Sequence, residues 1–150
     1  MNTNDISGGT SKTVLDVEHL SVDIEVSAGT LHAVDDISFH VDEGETLCIV
    51  GESGCGKSIT SLAVMDLLPR RATLKASRLM LEQENLLEIS KKEFAALRGN
   101  RMGMIFQDPM TSLNPVYRIG DQMEEVYIHH GKGGRKEARD RAEYLLDKVG

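Results

Sequence analysis

A glycine-rich loop at residues 51–58, with the sequence GESGCGKS, constrains the fold of this chain more than any other feature. It matches the pattern G-x-x-x-x-G-K-[ST], which acts between a buried strand and a helix. The preceding residues 46–50 are predominantly apolar, as in a strand buried on both faces. Apolar residues then recur at helical spacing as far as Pro69: Ile59, Leu62, Ala63, Leu67 and Leu68. The sequence therefore predicts the local order strand, glycine loop, helix.

Each fixed position of this loop has a physical role in holding the phosphates of a nucleoside triphosphate, with Mg-ATP favoured. The three glycines allow close backbone approaches that a Cβ would prevent, and successive N–H groups form a cradle for phosphate oxygens. Lys57 supplies positive charge to the β and γ phosphates, and the Ser58 hydroxyl is a candidate Mg²⁺ ligand. The predicted nucleotide-binding residues are Gly51, Glu52, Ser53, Gly54, Cys55, Gly56, Lys57, Ser58 and Ile59. The alternative is a glycine-rich turn that binds nothing.

Charge and cysteine usage exclude other classes of function. The net charge is −7, and no basic run is present, which argues against general nucleic-acid binding. The spacing of Cys48 and Cys55 matches no metal site and gives no disulfide framework, so reduced intracellular thiols are expected. No apolar run approaches the roughly 18 residues of a membrane span, and the first twenty residues lack a signal-peptide core. We expect a cytosolic protein, with a peripheral position on a membrane left open.

The sequence pattern of the N-terminal third predicts a flexible leader at residues 1–12, followed by an antiparallel β layer. Residues 14–20 and 22–26 alternate apolar and polar side chains, as a half-buried strand does. A turn at residues 27–30 precedes a second extended run, and another turn follows at residues 42–45.

The second half predicts further short elements. Ser90 and Glu93 have the spacing of a capping box and open a short helix that Gly99 ends. Residues 102–106 form a second buried-strand candidate, and the loop after it contains Pro109 and Pro115, which exclude a regular helix there. Two helices follow, separated by the glycines at 131, 133 and 134.

Gln107 follows the second strand candidate and is a possible sensor of the γ phosphate. Its amide oxygen suits Mg²⁺, and its amide protons suit an attacking water. Taken alone, a glutamine here is more often an ordinary loop residue. The surrounding sequence favours the functional interpretation.

Three phrases of the sequence resemble the ATP-binding subunits of ABC importers for dipeptides and oligopeptides. They are AVDDISF at residues 33–39, GETLCIVGESGCGKS at residues 44–58 and MIFQDPMTSLNP at residues 104–115. The resemblance runs from about residue 14 to residue 150, and its longest glutamine-containing phrase is more specific than the phosphate loop. It implies an α/β fold: a P-loop NTPase core of an ABC nucleotide-binding domain at residues 13–150, with an N-terminal antiparallel β layer and a helical subdomain from about residue 116.

The resemblance also implies roles and partners. Lys57 and Gln107 would be the catalytic residues, with Gln107 as the glutamine of the Q-loop, in contact with Mg²⁺ and the attacking water. ATP and Mg²⁺ are the implied cofactors, with Ser58 and Gln107 as metal ligands. The implied partners are integral-membrane permease subunits, a second identical or different ATP-binding subunit and, indirectly, an extracytoplasmic solute-binding protein. The subunit would lie at the cytoplasmic face of the inner membrane and drive peptide import by ATP hydrolysis.

Two departures from the family pattern accompany this resemblance. Ile24 stands where such proteins place an aromatic ring under the adenine; His32 could reach in as a substitute, or be an exposed strand histidine. The sequence also stops at Gly150, before the LSGGQ-type motif, the acidic strand with the general base and the switch histidine. The run at residues 79–82 resembles that acidic strand but precedes Gln107, so we interpret it as a surface strand. We expect an N-terminal fragment that is inactive alone.

Two other functions remain open from the sequence. One is a P-loop ATPase of another class, including importers of nickel or other solutes. The other is a non-catalytic nucleotide-binding or interaction module. Stabilisation by nucleotide against thermal unfolding would separate a ligand-binding loop from a purely structural one.

Overall fold

The computed structural model describes residues 12–108 and 112–150, so the predicted leader lies almost entirely outside the described residues. The described residues form five strands and four helices. The strands are β1 (Thr13–Val26), β2 (Gly29–Asp42), β3 (Ala72–Lys75), β4 (Arg78–Leu81) and β5 (Glu84–Asn85). The helices are α1 (Lys57–Val64), α2 (Lys91–Leu97), α3 (Ile119–His129) and α4 (Arg135–Val149).

The predicted antiparallel layer is confirmed and is built around β1. Strand β1 pairs with β2 along one edge, and with β3 and β4 along the other, all antiparallel. Val17, Leu20 and Val22 of β1 are almost completely buried. Strict alternation would not bury Val17 together with Leu20, but the pairing with β2 shifts register between these two residues, where His19 has φ of 53°. Residues 79–81 lie in a strand, β4, as predicted, and residue 82 begins a turn. The surface position predicted for this strand is wrong, because Leu79 and Leu81 are buried, with 2% and 6% exposure.

Two apolar runs are not strands, which corrects two predictions. Residues 46–50 have no strand assignment, and Val50 is 88% exposed. Residues 102–106 also lack a strand, with Ile105 97% exposed; one isolated bridge joins Arg98 to Met102. A strand buried on both faces needs hydrogen-bonded neighbours and covering elements. No strand in the described part of the chain pairs with either run, so Val50, Ile105 and Phe106 stay exposed, while Met102 and Met104 are half-buried.

The helices begin largely where the sequence predicts. Helix α1 starts at Lys57 but ends at Val64, well before Pro69, because Asp66 takes a left-handed conformation with φ of 50°. The capping box of α2 is present: Glu93 Oε2 accepts the Ser90 N–H at 2.7 Å, and Ser90 Oγ accepts the Glu93 N–H at 3.3 Å. Gly99, with φ of 74°, follows the end of α2.

The described chain divides into two compact units. The first ends at Ala95 and contains the β layer with α1, which packs on β1 and β2. The second, Ala96–Gly150, contains α3 and α4, which pack against each other through the buried Ala138 and Ala142 of α4. Among the helices of residues 12–108 and 112–150, none has both the length and the apolar character needed to cross a membrane.

Candidate functional site: a glycine loop at the start of helix α1

Gly56 joins the loop to α1 at a position where any side chain would be strained. Its φ is 93°, in the left-handed region, and it is the N-cap of α1. A Cβ built on Gly56 would lie 2.4 Å from the carbonyl oxygen of Ala33 and 3.4 Å from Val34 Cγ2. The loop therefore rests directly on β2. This close approach fixes the start of α1 relative to the sheet.

The first turn of α1 is open to an anion. Gly56 has no side chain to cap the first helical N–H groups, and no acidic residue occupies the first turn. Ser58 is exposed at the second helical position, Ile59 is half-buried, and Thr60 is only 3% exposed. The Thr60 hydroxyl donates to the Gly56 carbonyl oxygen at 3.1 Å, which ties the loop to the helix it precedes.

The ammonium group of Lys57 lies inside the loop. Its Nζ donates to the carbonyl oxygens of Gly51 at 2.8 Å and Glu52 at 2.6 Å. It also lies 3.4 Å from Cys55 Sγ, a weaker contact because sulfur is a poor acceptor. The positive charge is thus held across the mouth of the glycine loop rather than extended into solvent.

The loop residues 51–55 are exposed, and Cys55 lies close against Gly51. Gly54 has φ of 84° with open space around its Cα, while a Cβ on Gly51 would meet Cys55 Sγ at 2.5 Å. Glu52 and Ser53 are exposed, and the Cys55 N–H donates to the Glu52 carbonyl oxygen at 3.4 Å. Cys48 and Cys55 are both free and exposed. The structure therefore brings all nine predicted phosphate-loop residues together at one end of α1.

Beside the loop, the strand register separates the two candidates for contact with a base. Ile24 pairs with Leu31 and alternates with Asp23, which pairs with His32, so Ile24 and His32 point to opposite faces of the sheet. Ile24 and His32 therefore could not contact the same base from one face of the sheet, and which of them would meet a base stays a prediction. His32 is an exposed strand histidine whose Nδ1 lies 2.6 Å from Asp23 Oδ1.

Asp23 links three strands on the face opposite Ile24. Lys75 Nζ of β3 donates to Asp23 Oδ2 at 2.9 Å, alongside the His32 contact from β2. The hydrogen bond from Lys75, followed by that from His32, lowers the pKa of Asp23 below its ordinary value. The cluster ties the β1–β2 hairpin to β3.

Gln107 lies in the second unit, whereas the glycine loop lies in the first. It is exposed and sits in a bend after residues 102–106. Its neighbours at residues 109–111 lie outside the described residues. Its part in a shared site therefore stays a prediction.

Sequence patterns did not point to two supporting residues of the loop. Ala33 contributes only its backbone oxygen, and Thr60 acts through a hydroxyl turned back to Gly56. The contact at Ala33 depends on how β2 packs on the loop, which no local pattern encodes. Thr60 follows Lys57 by three residues, one turn into the predicted helix. That position was the only sequence signal that its hydroxyl could contact the loop.

A glycine loop of this geometry, with an ammonium across its mouth and a helix behind it, defines a P-loop nucleotide-binding site. Residues 34–150 match the ABC transporter family, described as "ABC transporter", and the chain belongs to that family. Its loop is accordingly the P-loop of an ABC ATPase domain.

Several relatives carry the same stretch of sequence. The oligopeptide transport ATP-binding protein OppD of Bacillus subtilis is 44% identical over 138 residues, which cover 91% of this chain and 38% of that protein. The dipeptide transport ATP-binding proteins DppD of Lactococcus lactis and of Bacillus subtilis are each 44% identical over 138 residues, covering 91% of this chain and 40% and 41% of those proteins. The chain spans less than half the length of each of these relatives.

Proposed function

We propose that this chain belongs to an ATP-binding motor subunit that couples ATP binding and hydrolysis to the import of dipeptides or oligopeptides. The observation that carries the proposal is the Lys57 ammonium held at the mouth of the glycine loop, 2.8 and 2.6 Å from two loop carbonyl oxygens. Membership of the ABC transporter family and the printed names of the peptide-transport relatives support the transport role and the choice of cargo.

The contacts of Lys57 suggest how the loop accepts a phosphate chain. An ammonium group has three hydrogens to donate, and two of them go to the carbonyl oxygens of Gly51 and Glu52. The third direction faces Cys55 Sγ at 3.4 Å, the weakest of the three contacts. A charged phosphate oxygen is a far better acceptor than a thiol, so it would take this third position while the other two bonds stay in place.

Mg²⁺ binding would involve Ser58 and Gln107. The exposed hydroxyl of Ser58 follows Lys57 at the start of α1, where it would supply an oxygen ligand beside phosphates held by the loop. Mg²⁺ at this site would neutralise charge on the phosphates. The amide of Gln107 would add an oxygen ligand and orient the attacking water.

The proposed assembly places the subunit peripherally at the cytoplasmic face of the inner membrane. Its partners would be integral-membrane permease subunits, a second ATP-binding subunit and, indirectly, an extracytoplasmic solute-binding protein. Gln107 and the loop after it would connect nucleotide chemistry to the permease, because ligand-driven ordering of a loop is a common way to bias a rigid-body movement.

Titration of Mg-ATP into the full-length protein tests the nucleotide site. A ligand bound only by the native state must raise the melting temperature. We expect Lys57→Ala to abolish this rise, while the matched variant Lys136→Ala, at an exposed position on α4, keeps it. Absence of any ATP-dependent rise in the wild type, or an equal rise in Lys57→Ala, would contradict the proposed site.

Coupling is tested with the full-length subunit assembled with its permease in lipid vesicles. We expect Gln107→Ala to retain ATP binding, but its ATP turnover should no longer drive peptide uptake. Gln83→Ala, in the turn between β4 and β5, serves as a control glutamine outside the proposed site. Wild-type coupling in Gln107→Ala would remove Gln107 from the mechanism.

A further inference from the structure

One side chain of α3 forms several hydrogen bonds to the backbone of residues 114–117, just before the helix. Gln122 Oε1 accepts the backbone N–H of Asn114 at 2.8 Å, and Gln122 Nε2 donates to the backbone carbonyl oxygen of Asn114 at 3.0 Å. The side-chain amide therefore pairs with both backbone groups of one residue, as a neighbouring strand would. Gln122 belongs to the beginning of α3, so the loop is fastened to that helix.

Further hydrogen bonds hold the residues that follow Pro115. Gln122 Nε2 also donates to the Tyr117 carbonyl oxygen at 3.2 Å. Within the loop, Asn114 Oδ1 accepts the Val116 N–H at 3.1 Å, and the Tyr117 N–H donates to the Asn114 carbonyl oxygen at 3.2 Å. Pro115 has a fixed φ and no N–H, which restricts the same segment. One amide thus closes a small, stiff turn on the first part of α3.

The chemistry of this contact is specific for an uncharged amide of this length. The Asn114 N–H needs an acceptor, while the Asn114 and Tyr117 carbonyl oxygens need donors. The terminal amides of glutamine and asparagine offer both on one planar group, and asparagine is one methylene shorter. A carboxylate would face two carbonyl oxygens with no hydrogen to share.

The fastened turn displays apolar side chains to its surroundings. Val116 is 80% exposed and Tyr117 is 65% exposed, and Leu113 and Ile119 are also exposed. An exposed apolar group on a turn of fixed shape can transmit a displacement to a bound partner. On a flexible loop the displacement would be absorbed by motion of the loop itself. The turn lies a few residues after Gln107 in the chain.

We propose that Gln122 is a positioning residue for energy coupling: its amide holds residues 114–117 rigid on α3, so that movement at Gln107 reaches the permease. The inference rests on the proposed function and adds a residue that touches neither nucleotide nor Mg²⁺. Its role is to keep the turn stiff, and ATP binding does not depend on it.

Two variants separate the hydrogen bonds from the shape of the side chain. Gln122→Met keeps the length and removes every hydrogen bond; Gln122→Glu keeps the shape and the acceptor but loses both donors. Gln83→Met, on an exposed glutamine of the β4–β5 turn, is the matched control. Each full-length variant is assembled with its permease in lipid vesicles, with the solute-binding protein added, and ATP turnover is measured with and without peptide cargo.

We expect the stimulation of kcat by cargo to fall about fivefold in both Gln122 variants, the scale of a coupling loss near 1 kcal/mol. The KM for ATP and the turnover without cargo should stay within about twofold of the wild type. Hydrogen exchange at the Asn114 and Val116 amides should become faster in both variants, which shows that the turn has been released. Gln83→Met should match the wild type in every measurement.

The outcomes that overturn the inference differ from those that overturn the proposed function. Wild-type stimulation in both Gln122 variants, despite faster exchange at Asn114, would refute the positioning role. Parallel loss of stimulated and unstimulated turnover with a lowered melting temperature would assign Gln122 a structural role only. A wild-type protein without cargo-stimulated ATP turnover would refute the proposed function itself, and this inference with it.

Discussion

Replacing Gly56 by alanine tests the contact between the glycine loop and β2. The φ of 93° would strain any residue with a Cβ by about 1–2 kcal/mol, the cost of the left-handed conformation. The new Cβ would also lie 2.4 Å from the Ala33 carbonyl oxygen, and neither group is the end of a flexible side chain. Relieving such a clash costs about 1–3 kcal/mol more. We expect a total destabilisation of about 2–5 kcal/mol as the sum of these two costs.

Two other glycines separate strain from clash. Gly44 has φ of 78° and Gly54 has φ of 84°, and a Cβ at either position would meet nothing within 4 Å. Gly44→Ala and Gly54→Ala should therefore lose only the strain cost of about 1–2 kcal/mol. Urea denaturation of the three full-length variants gives the comparison, with Gly44→Ala as the control outside the loop.

Nucleotide affinity gives the second half of this test. Relief of the clash must move the loop away from Ala33, so phosphate contacts are lost in Gly56→Ala. A loss of about 1.4 kcal/mol of these contacts lowers Mg-ATP affinity about tenfold. Gly44→Ala should bind as the wild type does. If Gly56→Ala were as stable as Gly44→Ala and bound Mg-ATP normally, the close approach of the loop to β2 would be refuted.

Three further outcomes are expected. Ser58→Ala should weaken binding of ATP in the presence of Mg²⁺ but leave Mg-free binding unchanged, with Ser61→Ala of the same helix as control; equal effects with and without Mg²⁺ would exclude Ser58 as a ligand. Hydrogen bonds with Ser90 lower the pKa of Glu93. The stability advantage of the wild type over Glu93→Ala should therefore be complete above pH 4.5 and vanish as the pH falls through the folded-state pKa. A difference in urea denaturation that does not depend on pH would contradict this. Purified residues 1–150 should turn over ATP negligibly beside the full-length protein, and steady hydrolysis by the shorter chain would disprove that expectation.

Local sequence patterns predicted the elements whose causes are themselves local. The alternation in β1, the capping box of Ser90 and Glu93 and the glycine loop before α1 all depend on residues a few positions apart. Such interactions form within one segment, so the sequence alone specifies them. The same holds for the two helices at residues 119–129 and 135–149, which the intervening glycines separate.

The apolar runs at residues 46–50 and 102–106 show where this reasoning stops. Both have the composition of buried strands, yet Val50 and Ile105 are among the most exposed apolar residues in the described chain. An apolar composition indicates only that a segment is suited to burial. Whether it is buried depends on neighbouring strands and covering helices, which are distant in sequence.

The sequence by itself determined the glycine loop before α1, because glycine angles, one lysine and the start of a helix are encoded within eight residues. Only the tertiary structure decided what supports that loop: the Ala33 carbonyl oxygen against Gly56, the separation of Ile24 and His32 onto opposite faces, and the grip of Gln122 on Asn114. These contacts join groups from different elements. Their geometry follows from strand register and packing, which a single-residue pattern does not record.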